Sequence, residues 1–183
     1  LGLDPSFNYL LFFGFIRPYK GLDLLIKALR WVKEEYLNLK LIVAGEFYED
    51  DKPYMKLVEE EGLKDDIIFF NRFINDDEVA VFFSACDLVV QPYRSATQSG
   101  VTQIAYHFEK PMVVTDVGGL KEIVPDGKCG YVARPEPESI ADAILLYLSE
   151  RSVTNFVSFI KEEKKIYSWD KMTAGIISIY KKL

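Results

Sequence analysis

The 183-residue chain is poor in the residues that build metal centres and disulfide frameworks, with two cysteines and one histidine. Cys86 and Cys129 are too few to staple a small scaffold, and Cys86 falls in an apolar helical pattern; reduced thiols in the cytosol are the expectation. No cluster of His, Cys and carboxylates has metal-ligand spacing, so no metal site is expected. No carboxylate pair suited to glycoside hydrolysis stands out either. No apolar run reaches the length of a membrane span, and no signal peptide is visible. Positive charge is also short. With 22 Lys and Arg against 28 Asp and Glu the net charge is −6, which argues against nucleic acid or an anionic membrane as main partner. Any anion site has to be a local basic spot on an acidic body. The chain opens Leu1-Gly2-Leu3-Asp4-Pro5 without an initiator methionine, as expected of a piece cut from a longer protein.

What is present is apolar and patterned. At 49% hydrophobic residues the chain is neither disordered nor of low complexity, and its length allows a full core. Tyr9 to Phe13 is a continuous apolar run and reads as a strand covered on both faces, Leu39 to Ala44 reads as a second buried strand, and Ile67 to Phe70, Leu88 to Val90 and Met112 to Thr115 as three more; a short sixth fits Gly130 to Val132. Between them, Leu22, Leu25, Ile26, Leu29 and Val32 recur at helical spacing, as do Val79, Phe82, Phe83 and Cys86. Asp76 and Asp77 supply N-cap chemistry to the latter helix. Further helices are expected through Leu57 and Val58, through Val101, Ile104, Ala105 and Phe108, and after Pro137, with two more at Phe156 to Ile166 and Met172 to Tyr180. Alternating strands and helices imply right-handed crossovers and one α/β domain over residues 1–183: a Rossmann-like, doubly wound parallel sheet with helices on both faces.

Ligands of such sheets bind outside the carboxyl ends of the strands. Two segments there look like anion sites. Arg17-Pro18-Tyr19-Lys20-Gly21 follows the first strand, and Pro92-Tyr93-Arg94-Ser95-Ala96-Thr97-Gln98-Ser99-Gly100-Val101 follows the fourth. A strand that turns through glycine into a helix presents free N–H groups and a positive dipole end, where phosphate is the usual occupant. Lys20, and Arg17 beside it, would neutralise a diphosphate; the plainer alternative is a solvated basic loop shaped by Pro18 and Gly21. Ser95, Thr97, Gln98, Ser99 and Thr102 crowd hydroxyls and amides where a helix cap needs one residue, and the amides of Gly100 and Val101 join them. Asn71-Arg72-Phe73 after the third strand could frame a nucleobase, with Phe73 at least as well placed for a core role. The pair Gly118-Gly119 reads as a positive-φ turn, Glu122 as a helix-face charge, and His107 as remote from the strand tips.

Several stretches together resemble one family. They are Gly14 to Gly21, Phe83 to Pro92, Lys110 to Val124, Asp126 to Val132 and the closing Tyr167-Ser168-Trp169-Asp170, in the family's order and over nearly the whole chain. The family is the large group of family-four (group 1) retaining glycosyltransferases of GT-B fold. The resemblance implies the C-terminal, donor-binding domain of such an enzyme, with the N-terminal acceptor domain absent from this chain and the isolated domain inactive. Lys20 matches the family's diphosphate lysine. The family's arginine falls where this chain has Phe15, with Arg17 two positions later. Alignment through Lys110-Pro111 puts the family's two donor-site glutamates at Ala96 and Ile104, so neither acid is present; Gln98, Ser99 and the amides of Gly100, Val101 and Thr102 are left to contact sugar and phosphate.

The expectation is therefore a parent enzyme that transfers a sugar from a UDP- or GDP-linked donor to a glycan, lipid or other acceptor with retention, without a metal cofactor. It would work in the cytoplasm, peripheral to the membrane through the missing domain if at all, and polysaccharide assembly is the family-level setting. The rival is a non-catalytic nucleotide-sugar binding module that lost turnover with both glutamates. A sugar-nucleotide epimerase of the same fold fits less well, since its proton abstraction calls for carboxylates that the donor helix lacks.

Overall fold

A computed structural model describes residues 1–181. Six strands form one parallel sheet: β1 (Asn8–Phe13), β2 (Leu39–Ala44), β3 (Ile67–Phe70), β4 (Leu88–Gln91), β5 (Met112–Thr115) and β6 (Gly130–Ala133). Their spatial order is β3-β2-β1-β4-β5-β6. The apolar runs dictate this. Leu10, Leu11 and Phe12 of β1 and Val89 of β4 are buried, as a central parallel strand covered on both faces demands. Register pairs Leu10 with Leu41 on one side and with Leu88 on the other.

Helices α1 (Leu22–Glu35), α2 (Lys52–Glu60), α3 (Asp76–Ala85) and α4 (Gly100–His107) connect the strands, followed by a single turn, α5 (Leu120–Ile123), and by α6 (Pro137–Glu150). Right-handed crossovers put α1 and α2 on one face, where α6 returns to pack on α1. The connections through α3 and α4 run the other way along the sheet and cover the opposite face. There Phe13 of β1 meets Phe83 edge-on at 5.0 Å, and Phe83 stacks on Phe108 at 5.5 Å. The chain ends in α7 (Phe156–Glu163), a 3-10 turn (Lys164–Tyr167) and α8 (Trp169–Tyr180).

Boundaries differ from expectation where caps decide them. Helix α3 is capped by Asn75, whose amide donates to Glu78 Oε2 at 3.2 Å. Asp76 and Asp77 sit instead in the first turn, where their charges meet the helix dipole. Cys86 lies just past the end of α3, buried rather than on its face. The closing helix starts at Trp169 rather than Met172 because Ser168 Oγ accepts from the Lys171 amide at 3.2 Å.

The strand order reverses between β1 and β4. Chain leaves β1 toward α1 and one edge, and leaves β4 toward α4 and the other edge. A crevice must open between the two departing loops, at their carboxyl ends.

Candidate functional site

That crevice is lined by Lys20 and Tyr19 from the β1 loop and by Tyr93, Ser95 to Ser99, Gly100, Val101 and Ile104 from the β4 loop and α4. Its volume is about 590 Å³. The two segments predicted to hold anions, well separated in sequence, thus form its opposite walls.

Lys20 ends a 3-10 turn (Pro18–Lys20) and is only 8% exposed. Its ammonium lies 5.7 Å from the centre of the Tyr93 ring, and none of the ion pairs among the described residues includes it. Burial, and then the neighbouring Arg17 charge, pull its pKa down to about 8. A buried cation beside a second cation, in no ion pair among the described residues, is a group that a nearby anion would stabilise. Arg17 itself is exposed and lies over the Tyr48 ring at 4.3 Å.

Across the crevice, Ser99 precedes α4 in extended conformation and makes no side-chain cap to its helix. Its hydroxyl is 3.3 Å from Tyr93 OH instead. The first amides of α4, at Gly100 and Val101, have no acceptor within the helix. Ser95, Thr97, Gln98 and Gly100 are exposed on the crevice wall, while Val101 and Ser99 are nearly buried.

Thr102 is a correction. It is fully buried, its hydroxyl donates to Gln91 Oε1 at 3.3 Å, and its amide donates to the Ser99 carbonyl at 3.2 Å. Three residues on from Ser99, it turns toward the sheet rather than the crevice, a helical phase that the crowding of hydroxyls in sequence conceals.

The β4 loop is held from behind. Thr115 Oγ1 donates to the Tyr93 carbonyl at 2.6 Å, and the Gly119 amide donates to the Thr97 carbonyl at 3.1 Å. Gly118 has φ +54°, and a Cβ there would lie 1.6 Å from the Ala96 carbonyl oxygen. Gly118 therefore makes the expected positive-φ turn, Gly119 does not share it at φ −91°, and the pair backs the β4 loop. Glu122 is exposed on α5, and His107 ends α4 at the far side from the crevice, as expected of both.

Arg72 and Phe73 stand apart from this crevice, on the loop after β3. Arg72 is engaged by Glu78 through a fork of 2.7 and 2.5 Å, which with the Asn75 amide pulls the Glu78 carboxyl down to about 2. Phe73 is not a core residue. It is 54% exposed and tilts against Phe15, 6.1 Å between ring centres. This aromatic pair sits at the carboxyl edge, over β1 and β3. Ala96 and Ile104 both line the crevice and present only methyl and butyl groups to it.

Sequence reasoning gave no role to Tyr93 and Arg94. Tyr93 is buried, with its hydroxyl pushed up to about 12 by that burial, and forms the crevice floor. Arg94 lies beside the crevice, outside its lining, and bonds to the β1 loop and to Asp23 of α1. Only pairing across the sheet could reveal either.

Among the described residues, no group of three or more His, Cys, Asp and Glu is placed to hold a metal ion. No described helix is long and apolar enough to cross a membrane.

The family described as "Glycosyl transferases group 1" matches residues 1–166 of the chain. An uncharacterized glycosyltransferase of Methanocaldococcus jannaschii is 32% identical over 184 residues, covering 98% of this chain and 50% of the relative. A D-inositol 3-phosphate glycosyltransferase of Pseudarthrobacter chlorophenolicus is 30% identical over 133 residues, or 72% of this chain and 32% of the relative. Among solved structures, the C-terminal domain of a glycosyl transferase group 1 family protein from Francisella tularensis superposes with a TM-score of 0.78 at 24% identity, covering 88% of this chain and 87% of that one. Anabaena HepE in complex with UDP-glucose gives 0.78 at 21% identity, over 96% of this chain and 49% of that one. The chain spans about half the length of the first curated relatives it matches, 50% and 46%.

Proposed function

Because the chain belongs to the group 1 glycosyl transferases, we propose that it is the donor-binding half of a retaining enzyme that moves a hexose from a nucleoside-diphosphate sugar to an acceptor. One observation carries this reading: Lys20, buried without a counter-ion, faces the uncapped N-terminus of α4 across a single crevice at the switch point of the sheet. A diphosphate placed there has an ammonium on one side and the Gly100 and Val101 amides on the other. Both are aimed at charge that grows as the leaving group departs, and neither has to reorganise to meet it. Arg17 would reach in from the β1 loop after leaving Tyr48.

In this scheme Ser95, Thr97, Gln98 and Ser99 contact the phosphates and the donor sugar, with Gln98 in the role that a carboxylate plays in relatives. Phe73 and the backbone beside Arg72 frame the base, since Phe73 offers an exposed ring at the same edge. The charge is met by protein groups, so transfer needs no divalent metal. The acceptor, and any group that activates it, belong to the part of the parent that this chain does not contain. UDP-glucose bound to Anabaena HepE, a structural neighbour, supports this class of donor.

A second reading has its own observation. The two crevice positions aligned with glutamates are Ala96 and Ile104, so the chain fits a module that binds nucleotide sugar without turnover.

Calorimetric titration with UDP, GDP and ADP, with and without magnesium, tests the site. We expect metal-free binding of one of the three, weakened at least tenfold by Lys20→Ala. Binding that Lys20→Ala leaves unchanged would remove the crevice from the donor site. Donor binding by a full-length parent that transfers nothing would select the second reading.

A further inference from the structure

Arg94 makes four hydrogen bonds, and all four land on residues 18–23. Its amide donates to the Tyr19 carbonyl at 2.7 Å. Its guanidinium reaches the Pro18 carbonyl at 3.1 Å and takes both oxygens of Asp23 in a fork of 2.7 and 2.5 Å. Asp23 lies in the first turn of α1, so the bonded segment brackets Lys20 on both sides. The same β4 loop runs on from Arg94 into Ser95 to Ser99 and the N-terminus of α4.

We propose that Arg94 and Asp23 are the positioning pair of the anion crevice: their fork clasps the β1 loop to the β4 loop and thereby sets the separation between Lys20 and the amides of α4. Only the identity of the ligand rests on the donor-site reading; the clasp stands on geometry alone.

Stability does not account for the arrangement. The two side chains are 42% and 32% exposed, and ion pairs that open to water contribute about 0–1 kcal/mol. What a bidentate guanidinium supplies is orientation, because its planar fork accepts one relative placement of carboxylate and carbonyl. The loops also touch directly, since a Cβ at Gly21 would lie 2.0 Å from the Pro92 carbonyl oxygen. A shift of the β4 loop is therefore handed on to the turn that carries Lys20. Asp23 has a second effect. By neutralising Arg94 it keeps that guanidinium from competing for the incoming anion, which leaves Lys20 as the cation of the crevice lining.

The test uses Arg94→Ala and Arg94→Lys in this chain, each checked for native circular dichroism. The first readout needs no ligand. The Tyr93 ring, 5.7 Å from Lys20 Nζ, should displace the Lys20 side-chain NMR signals from those of free lysines. Both variants should move these signals toward the free-lysine position, because a lysine at position 94 keeps the charge but lacks the fork. The second readout is affinity for inorganic pyrophosphate, expected to fall about tenfold in both. If Arg94→Ala does not fold, the charge-conserving Arg94→Lys decides. Native-like Lys20 signals in the folded variant would overturn the clasp, whatever pyrophosphate does. Lys20 signals that move in the folded variants, with a wild-type chain that binds no pyrophosphate, would sustain the clasp and count against the donor site.

Discussion

Lys20 is a charge that the fold buries at the expense of stability. Burial and the adjacent Arg17 lower its pKa from 10.5 to about 8, so the folded chain holds that proton less tightly than the unfolded one. Between about 8 and 10.5 unfolding takes up a proton, and the stability of the ligand-free chain rises with pH through that window. Below it, the folded state carries the buried charge at a cost on the order of 3 kcal/mol. Lys20→Met should therefore raise the ligand-free melting temperature at neutral pH, flatten this rise, and lose pyrophosphate binding. Melts on either side of the window check the first two effects. Binding reverses the sign. A bound diphosphate restores the proton, so affinity in the wild type should weaken as pH climbs through about 8, with proton uptake visible as a buffer-dependent calorimetric enthalpy. Lys20 was legible from its place just after an apolar strand. Thr102 was misread because hydroxyl content carries no information on which way a helical residue points.

At the level of elements, the crevice depends on a turn that contributes nothing to its lining. Gly118 lies behind the Ala96 carbonyl at φ +54°, and Gly118→Ala has to strain the turn and push the β4 loop forward. We expect a stability loss of about 1–3 kcal/mol together with weakened pyrophosphate binding. Gly127→Ala is the control: its φ is +69° but nothing lies within 4 Å of a Cβ there, so it should cost stability and leave binding intact. Equal binding losses in both variants would deny the loop coupling. Helix α8 is the opposite case. It has no buried residue, and Trp169, Ile176, Ile179 and Tyr180 are all more than half exposed. Its amides should exchange with solvent far faster than those of α1, whose apolar face is buried; protection equal to α1 would show that something in solution covers it. Apolar spacing predicted both helices equally well, because periodicity marks a face without saying what lies against it.

For the molecule as a whole, a net charge of −6 makes the basic crevice an exception on an acidic body. Anion binding should therefore be local and less steered than in a basic protein. This chain spans about half the length of its first curated relatives. On the proposed reading, in which the acceptor is bound outside this chain, the chain alone should bind a nucleoside diphosphate yet release no nucleotide from a donor sugar in a coupled assay. Turnover by this chain would place the full catalytic set within it.

The sequence by itself determined the parallel α/β architecture, since apolar runs buried on both faces and helices between them admit few other layerings. It also determined that Lys20 and the Ser95 to Val101 segment lie at one edge of the sheet. Tertiary structure decided that the two segments face each other, that Arg94 grips the turn beside Lys20, that Thr102 turns inward, and that Phe73 is exposed against Phe15. The reason is physical. Local pattern sets the phase and length of each element through short-range sterics and burial, whereas a fork between residues 23 and 94 exists only after the sheet has placed β1 beside β4.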